Sequence, residues 1–395
     1  MTSHDTSKSV DFQFIDTQAT FDALFGELQT SSPVIAIDAE RASSFRYTSK
    51  AYLVQIKVGK QSAIVFDPIN LTDFNALTSS VHKSLVLIHS ATQDLECLRE
   101  LGIAPQHLFD TELAAKLLGK PKVGLQALLE SELGIRIEKE HSAVDWSKRP
   151  LPEDWLIYAA QDVEHLQDLY EVLEQQLTAS TRMTWAHEEF EFLAKWQPKV
   201  ISDKWRRTSG LHKVKQRRHL AAVMHLWEAR DEIAASNDLA PSRVLRDEAL
   251  VEIALSKAGS AQDIATLLKQ RFRVRFDYSA IWWNALDASQ NVAEEELPVF
   301  HQKNPNGLPP IKAWQEKNPA AAERFGRTRS EVLRLAESLG IAPEVVINPE
   351  TIRQVSWHFD HWDDEFFKSE LIRMQTRHWQ IELLFEDLFE SLRHD

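Results

Sequence analysis

Asp38 and Glu40 in PVIAIDAER, Asp94 in LIHSATQDLECL, and Tyr158 and Asp162 in YAAQDVEHL are of the types and at the spacings that could share bound cations. Asp38 and Glu40 end an apolar run and lie two residues apart, so on a strand they stand side by side on one face. Adjacent carboxylates repel each other, which is costly unless cations sit between them. Asp94 opens a helical period after the apolar run 85–89. Tyr158 and Asp162 are i and i+4 on one helix and share a face. Such carboxylates, drawn from separate elements, can hold a pair of hard divalent ions through oxygen. Two ions roughly 3.5–4 Å apart can activate water and stabilise the leaving oxygen of an in-line phosphodiester displacement. A tyrosine hydroxyl near that water can orient it or take up its proton. Taken singly these residues are unremarkable: Asp-x-Glu often ends a strand, and an aspartate suits a helix N-terminus through the dipole. Their joint occurrence, each on the right kind of element, carries the reading.

The elements that must position them alternate between strand and helix. VIAID (34–38), YLVQIKV (52–58), SAIVFD (62–67) and LVLIH (85–89) read as strands. DFNALTSSVHKSL, DLECLRELG, DTELAAKLLG, GLQALLESELG and EDWLIYAAQDVEHLQDLYEVLEQQL read as helices. This mixture predicts an α/β domain with a central sheet over residues 1–175. Strand signals then vanish. A helical, basic linker is expected over 176–210, one small all-α domain over 211–298, a Pro-rich linker over 299–313 and a second all-α domain over 314–395. The two helical stretches resemble each other. A shift of 102 residues lays 233–253 over 335–355, matching Ala234, Ser236, Ala240, Pro241, Val244 and Glu248 with identical residues. Leu239, Leu245, Leu250 and Ile253 meet other aliphatic side chains, so one module has been duplicated.

With 395 residues, 43% hydrophobic and 26% charged, the chain suits a soluble protein of two or three domains. No apolar run approaches a membrane span, and MTSHDTSKSVDFQF lacks the features of a signal peptide. Cys97 is the only cysteine. That excludes a disulfide framework or a cysteine-rich zinc site and predicts a reducing, cytoplasmic setting. Nothing calls for a membrane or for an obligatory protein partner. A net charge of −14 argues at first against nucleic acid, yet a phosphate backbone senses the local patch. Lys195, Lys199, Lys204, Arg206, Arg207, Lys213, Lys215, Arg217 and Arg218 are opposed only by Asp203 and interleaved with Trp196 and Trp205. The strip is either a solvated linker face or a surface that tracks a backbone and stacks bases. In the second case Lys204, Arg206, Arg207, Lys213 and Lys215 are its candidate contacts.

IAIDAER, IHSATQDLECL and YAAQDVEHLQDLY resemble the three exonuclease motifs of the DEDD superfamily, and Tyr158 places the chain in the tyrosine branch. FDTELAAKLLG (109–119) and DWSKRPL (145–151) are similar to segments of the ribonuclease D family, and the helical modules resemble HRDC domains. The resemblance implies a ribonuclease H-like fold, with a mixed central sheet flanked by helices, followed by two small all-α HRDC-like domains. It implies hydrolysis of RNA from single-stranded 3′ ends to nucleoside 5′-monophosphates, with transfer RNA precursors as substrate. Asp38, Glu40, Asp94 and Asp162 would hold two magnesium or manganese ions, and Tyr158 would assist the attacking water. The helical modules would form a ring or clamp with the nuclease face. Arg41 stands where many relatives carry an aromatic residue, so Phe45 or Tyr47 is expected to replace its packing. His89 is either a satisfied histidine or a contact to the terminal nucleotide, and Gln93 is a weaker candidate for the same role. Trp146 reads as a packing anchor. Lys148 and Arg149 could contact phosphate, cap a helix or pair with Glu153. Two competing readings are a DNA exonuclease with the same metal site and a nucleic-acid-binding scaffold whose nuclease is vestigial.

Overall fold

In a computed structural model, residues 10–28, 33–137, 144–300 and 307–393 are described. The N-terminal nine residues and residues 301–306 of the Pro-rich linker lie outside them. Six strands form one mixed sheet: β1 (Phe12–Ile15), β2 (Val34–Arg41), β3 (Ala51–Val58), β4 (Ala63–Phe66), β5 (Leu85–Ile88) and β6 (His107–Asp110), in the order β1-β4-β3-β2-β5-β6. β2 is antiparallel to β3 and parallel to β5. The four strands expected from the sequence are all present. β1 and β6 were not legible: both lie at a sheet edge, and unlike the equally short β4 and β5 neither is an unbroken apolar run.

Alternation along β2 decides where the chemistry lies. Ile35 and Ile37 face a core shared with helices Gln18–Leu28, Asn75–Val81 and Leu95–Glu100. Ala36 faces the opposite core, roofed by helices Thr111–Leu117, Glu153–Glu164, Leu166–Ala179 and Met183–Ala194. Asp38 and Glu40 share the parity of Ala36, so they point beneath helix Glu153–Glu164, which carries Tyr158 and Asp162. The single helical period read from 153 to 177 is in fact two helices. His165 leaves the helical region (φ −113°, ψ 9°); both halves reach β2, but the first extends over β3 and β4 and the second over β5.

Two helical modules follow, each with its own core. The first comprises Arg217–Ser236, Pro241–Val244, Asp247–Leu255, Ala261–Arg271 and Ser279–Gln290. The second repeats that order as Pro319–Leu339, Pro343–Val346, Pro349–His358, Asp364–Arg373 and His378–Arg393. The one-turn helices Pro241–Val244 and Pro343–Val346 fall at the offset read from the sequence.

Both modules dock on the sheet domain. Asp238 of the first accepts hydrogen bonds from the Tyr47 and Thr48 amides (both 3.2 Å), the Thr48 hydroxyl (3.1 Å) and the Tyr52 hydroxyl (3.3 Å). In the second, Trp379 stacks on Trp185 at 4.6 Å between centroids and donates to Glu189, which also receives a two-pronged contact from Arg377. Gly119 (φ 71°) meets the second module so closely that a Cβ would lie 1.8 Å from the Gly340 carbonyl oxygen. Only glycine fits there.

Candidate active site

Asp38, Glu40, Asp94, Tyr158 and Asp162 all line one cleft of about 610 Å³. Carboxylate oxygens of Asp38, Glu40 and Asp162 lie within 4.8 Å of one another. Asp94, which precedes helix Leu95–Glu100, stands apart from that trio and pairs with Arg41 (Nε to Oδ1, 3.7 Å). Its side chain is only 6% exposed. Of the two aromatics expected to replace the packing of the one missing at position 41, Phe45 lines the cleft and Tyr47 does not.

This crowding is electrostatically unfavourable. Burial raises Asp38 from 3.8 to about 6, against the Ala39 amide and Arg41, which lower it. Glu40 is raised well above its ordinary value, first by burial, then by Asp38, Asp162 and Asp94. Asp162 is raised by burial and by Asp38; Asp94 is raised by burial and by Asp38, with Arg41 opposing. Arg41 is the only cationic side chain lining the cleft among the described residues. An oxygen-rich, anionic, half-buried cluster with so little positive charge suits hard divalent cations.

The same geometry has a consequence for stability. In EDTA, replacing Asp38 by Asn should stabilise the protein above pH 6 by several degrees in thermal midpoint, a gap that closes towards pH 4. Between 3.8 and about 6 the folded Asp38 holds a proton that the unfolded chain has released, so the native state loses stability as pH rises through that window. Thermal melts of both proteins across this range measure it; a gap independent of pH would contradict it.

Tyr158 is held by Trp146, which is 1% exposed, with ring centroids 6.4 Å apart; Trp155 also packs on Trp146, at 5.4 Å. Trp146 is therefore a packing anchor. Burial, then Asp162, Glu40 and Asp38, raise the Tyr158 phenol above its ordinary value. Cys97 is buried, its thiol pushed up to about 12 by burial, and it donates to the Asp94 carbonyl.

His89 lines the cleft with Nδ1 2.9 Å from the Thr111 hydroxyl, and burial lowers it to about 4, so it is neutral at pH 7. Gln93 also lines the cleft and donates to the Ser90 hydroxyl at 3.0 Å. Lys148 is exposed and does not line it. Arg149 corrects the expectation of a phosphate contact. Its five N–H donors are spent on Asp67 (2.5 and 2.7 Å) and on the Trp146, Lys148 and Tyr52 carbonyls.

The basic strip also divides. Arg206 bonds the Val299 carbonyl, pairs with Asp203 and lies over the Trp205 ring, while Trp205 is buried in the first helical core and has no face for a base. Arg217 and Arg218 pair with Glu294. Lys204, Arg207, Lys213 and Lys215 are exposed, and none lines the carboxylate cleft.

Three further residues escaped the sequence reading. Asp110 is 3% exposed and accepts from the Ser90 and Ala91 amides (3.1 and 2.8 Å) and from the Glu112 and Leu113 amides (2.8 and 3.1 Å). It caps helix Thr111–Leu117 and pins the turn that delivers Asp94. Glu112 lines the cleft beside His89. Gln55 pairs in register with Asp38, is fully buried, and bonds nothing through its amide. A glutamine inside the apolar run YLVQIKV was the available signal.

Comparison with known proteins agrees with this geometry. Residues 12–178 match the family model described as 3′-5′ exonuclease, 219–285 match the HRDC domain, and 307–392 match a model described as 3′ to 5′ exonuclease C-terminal domain. Ribonuclease D of Acidiphilium cryptum is 31% identical over 79% of this chain and 81% of its own length. The chain belongs to the ribonuclease D family. Among solved structures, Escherichia coli RNase D, described as an exoribonuclease involved in structured RNA processing, superposes with a TM-score of 0.70. It is 25% identical, over 97% of this chain and 99% of that one. A protein from Bifidobacterium adolescentis is 32% identical with a TM-score of 0.88, over 98% of this chain and all of that one. The ribonuclease D architecture of one sheet domain and two helical modules thus spans the chain.

Proposed function

We propose that this ribonuclease D family member hydrolyses RNA from the 3′ end, releasing nucleoside 5′-monophosphates one at a time. The observation that carries this reading is the convergence of Asp38, Glu40, Asp94, Asp162 and Tyr158 in one cleft with almost no compensating positive charge. Those four carboxylates would hold two divalent ions, magnesium or manganese, which when bound neutralise the cluster, activate water and stabilise the leaving oxygen. The chain's own groups position the substrate. Tyr158, with its phenol raised, keeps its proton at pH 7 and serves to orient the attacking water. His89, neutral and tied through Nδ1 to Thr111, retains Nε2 for a contact to the terminal nucleotide, with Gln93 beside it.

The domain limits read from the sequence remain our division of the chain, except that helix Met183–Ala194, within the expected linker, packs into the core of the sheet domain; the two helical modules clamp the nuclease face so that a single strand enters and duplex is excluded. RNA is chosen over DNA on the family match, and transfer RNA precursors are the substrate class the resemblance favours. No described helix is long and apolar enough to cross a membrane, and a single buried cysteine fits a reducing compartment, the cytoplasm.

A time course with 5′-labelled single-stranded RNA, with and without divalent ion, tests this directly. Ion-dependent shortening from the 3′ end supports it; internal cleavage, or none with either metal, refutes it. Tyr158→Phe should lower kcat about 100-fold while leaving the magnesium concentration for half-maximal activity unchanged. A shift in that concentration, with kcat intact, would mean that Tyr158 acts on the ion site instead.

A further inference from the structure

A second cavity, also about 610 Å³, lies where the first helical module meets the sheet domain. Arg243, Arg246, Arg271, Arg273 and Arg275 line it, against the single carboxylate of Glu248. In a chain of net charge −14 such a concentration of guanidinium groups requires a reason. The fold uses part of it: Arg271 pairs with Glu252, and Arg243 donates to the Ser44 carbonyl at 2.8 Å. Arg246 and Arg273 are exposed and have no ion pair among the described residues, and Arg275 lies over Phe276 at 5.3 Å. Unpaired arginines gathered in a concave surface repel one another and match the oxygens of phosphates through their planar donors.

The position of this cavity is as informative as its charge. Ser44 lines both it and the carboxylate cleft. Phe45 lines the cleft, and the Arg243 guanidinium sits 4.0 Å from the centroid of its ring. The two cavities therefore meet at the Phe45–Arg243 contact. One end is anionic and suits cations; the other is cationic and suits phosphates. The strip of Lys204, Arg207, Lys213 and Lys215 lines neither.

We propose that the arginine cavity holds the backbone phosphates of a single RNA strand on the 5′ side of the nucleotide bound in the carboxylate cleft. This rests on the exoribonuclease reading above and adds the path by which the strand arrives. A polyanion leaving the cleft past Phe45 meets Arg243 at once, then the exposed guanidiniums of Arg246, Arg273 and Arg275. Phosphates neutralised there release counterions, so the contact is independent of base sequence and weakened by salt.

The test uses the full chain with Arg246→Gln, Arg273→Gln and Arg275→Gln together, leaving Arg243 and Arg271 in their structural contacts. Binding of a 5′-fluorescein single-stranded RNA of about twenty nucleotides is followed by anisotropy in EDTA across a salt series. The variant should bind about 10-fold more weakly, and its slope of log K against log salt should be shallower by about 2, the value for three lost single-strand contacts. Magnesium-dependent trimming of a strand of about four nucleotides should stay within about twofold of wild type. An unchanged Kd and slope for the long strand overturn the proposal. So does an equal loss of trimming on the short strand, which would place the effect in the cleft, or competition by an acidic peptide that exceeds competition by RNA. Failure of the exoribonuclease reading appears separately, as a wild type that trims neither strand with magnesium or manganese, and the binding series then still reads the cavity.

Discussion

Asp38→Asn should reduce metal-dependent trimming at least about a thousandfold while leaving RNA binding in EDTA unaffected. The substitution keeps the shape of the side chain and removes one negative charge from the trio whose oxygens lie within 4.8 Å of one another. In the metal-free protein that removal relieves repulsion, because Glu40 and Asp162 are both raised in part by Asp38. In the working enzyme it would remove one of the proposed ion ligands from a buried cluster, where partial exclusion of water makes electrostatic stabilisation most effective. Stability and activity should therefore move in opposite directions, as expected where repelling groups are held together for function. Wild-type and variant rates on 5′-labelled RNA, with anisotropy in EDTA, measure both halves. Activity retained to within tenfold would remove Asp38 from the catalytic cluster, and a variant that no longer binds RNA would show its effect to be structural.

Arg149→Ala should cost about 3–5 kcal/mol of stability, because it strands a buried carboxylate. The Asp67 side chain is 1% exposed and among the described residues receives, besides the two Arg149 bonds, only the Ile69 amide (3.0 Å) and the Asn70 side chain (3.3 Å). At about 2–4 °C for each kcal/mol in a domain of this size, the thermal midpoint should fall on the order of 10 °C. Arg149→Lys should recover little, since one ammonium cannot replace five donors in a fork. Asp67→Leu with Arg149→Met should recover much of the loss by removing both charges together. At a temperature where Arg149→Ala is folded, its KM for RNA should match wild type. An unchanged melting point with a raised KM would instead restore the phosphate contact first read from DWSKRPL.

Arg149 shows where sequence reasoning ends. From DWSKRPL alone, a lysine–arginine pair near the expected site looks like a phosphate binder, and nothing nearby in the sequence names Asp67, 82 residues away, as its partner. Trp205 is a similar case: interleaved among cations it looks like a stacking platform, but the core of the first helical module claims it. Conversely, the arginines at 243–246 and 271–275 lie in or just after two separate helices, and only the docking of Asp238 and Arg243 onto the 44–52 segment brings them beside the cleft.

The clustered carboxylates were legible because local geometry already dictates their orientation. A strand period of two places Asp38 with Glu40, and a helix period near four places Tyr158 with Asp162. The duplicated modules were legible because their apolar positions repeat in phase. The neighbours each would meet were not: that Asp94 pairs with Arg41 within the cleft, that Asp110 pins the turn before it, and that Trp379 docks the last helix on Trp185 depend on contacts between residues distant in the chain. Periodicity reports which way a side chain points, and only packing decides what it meets there.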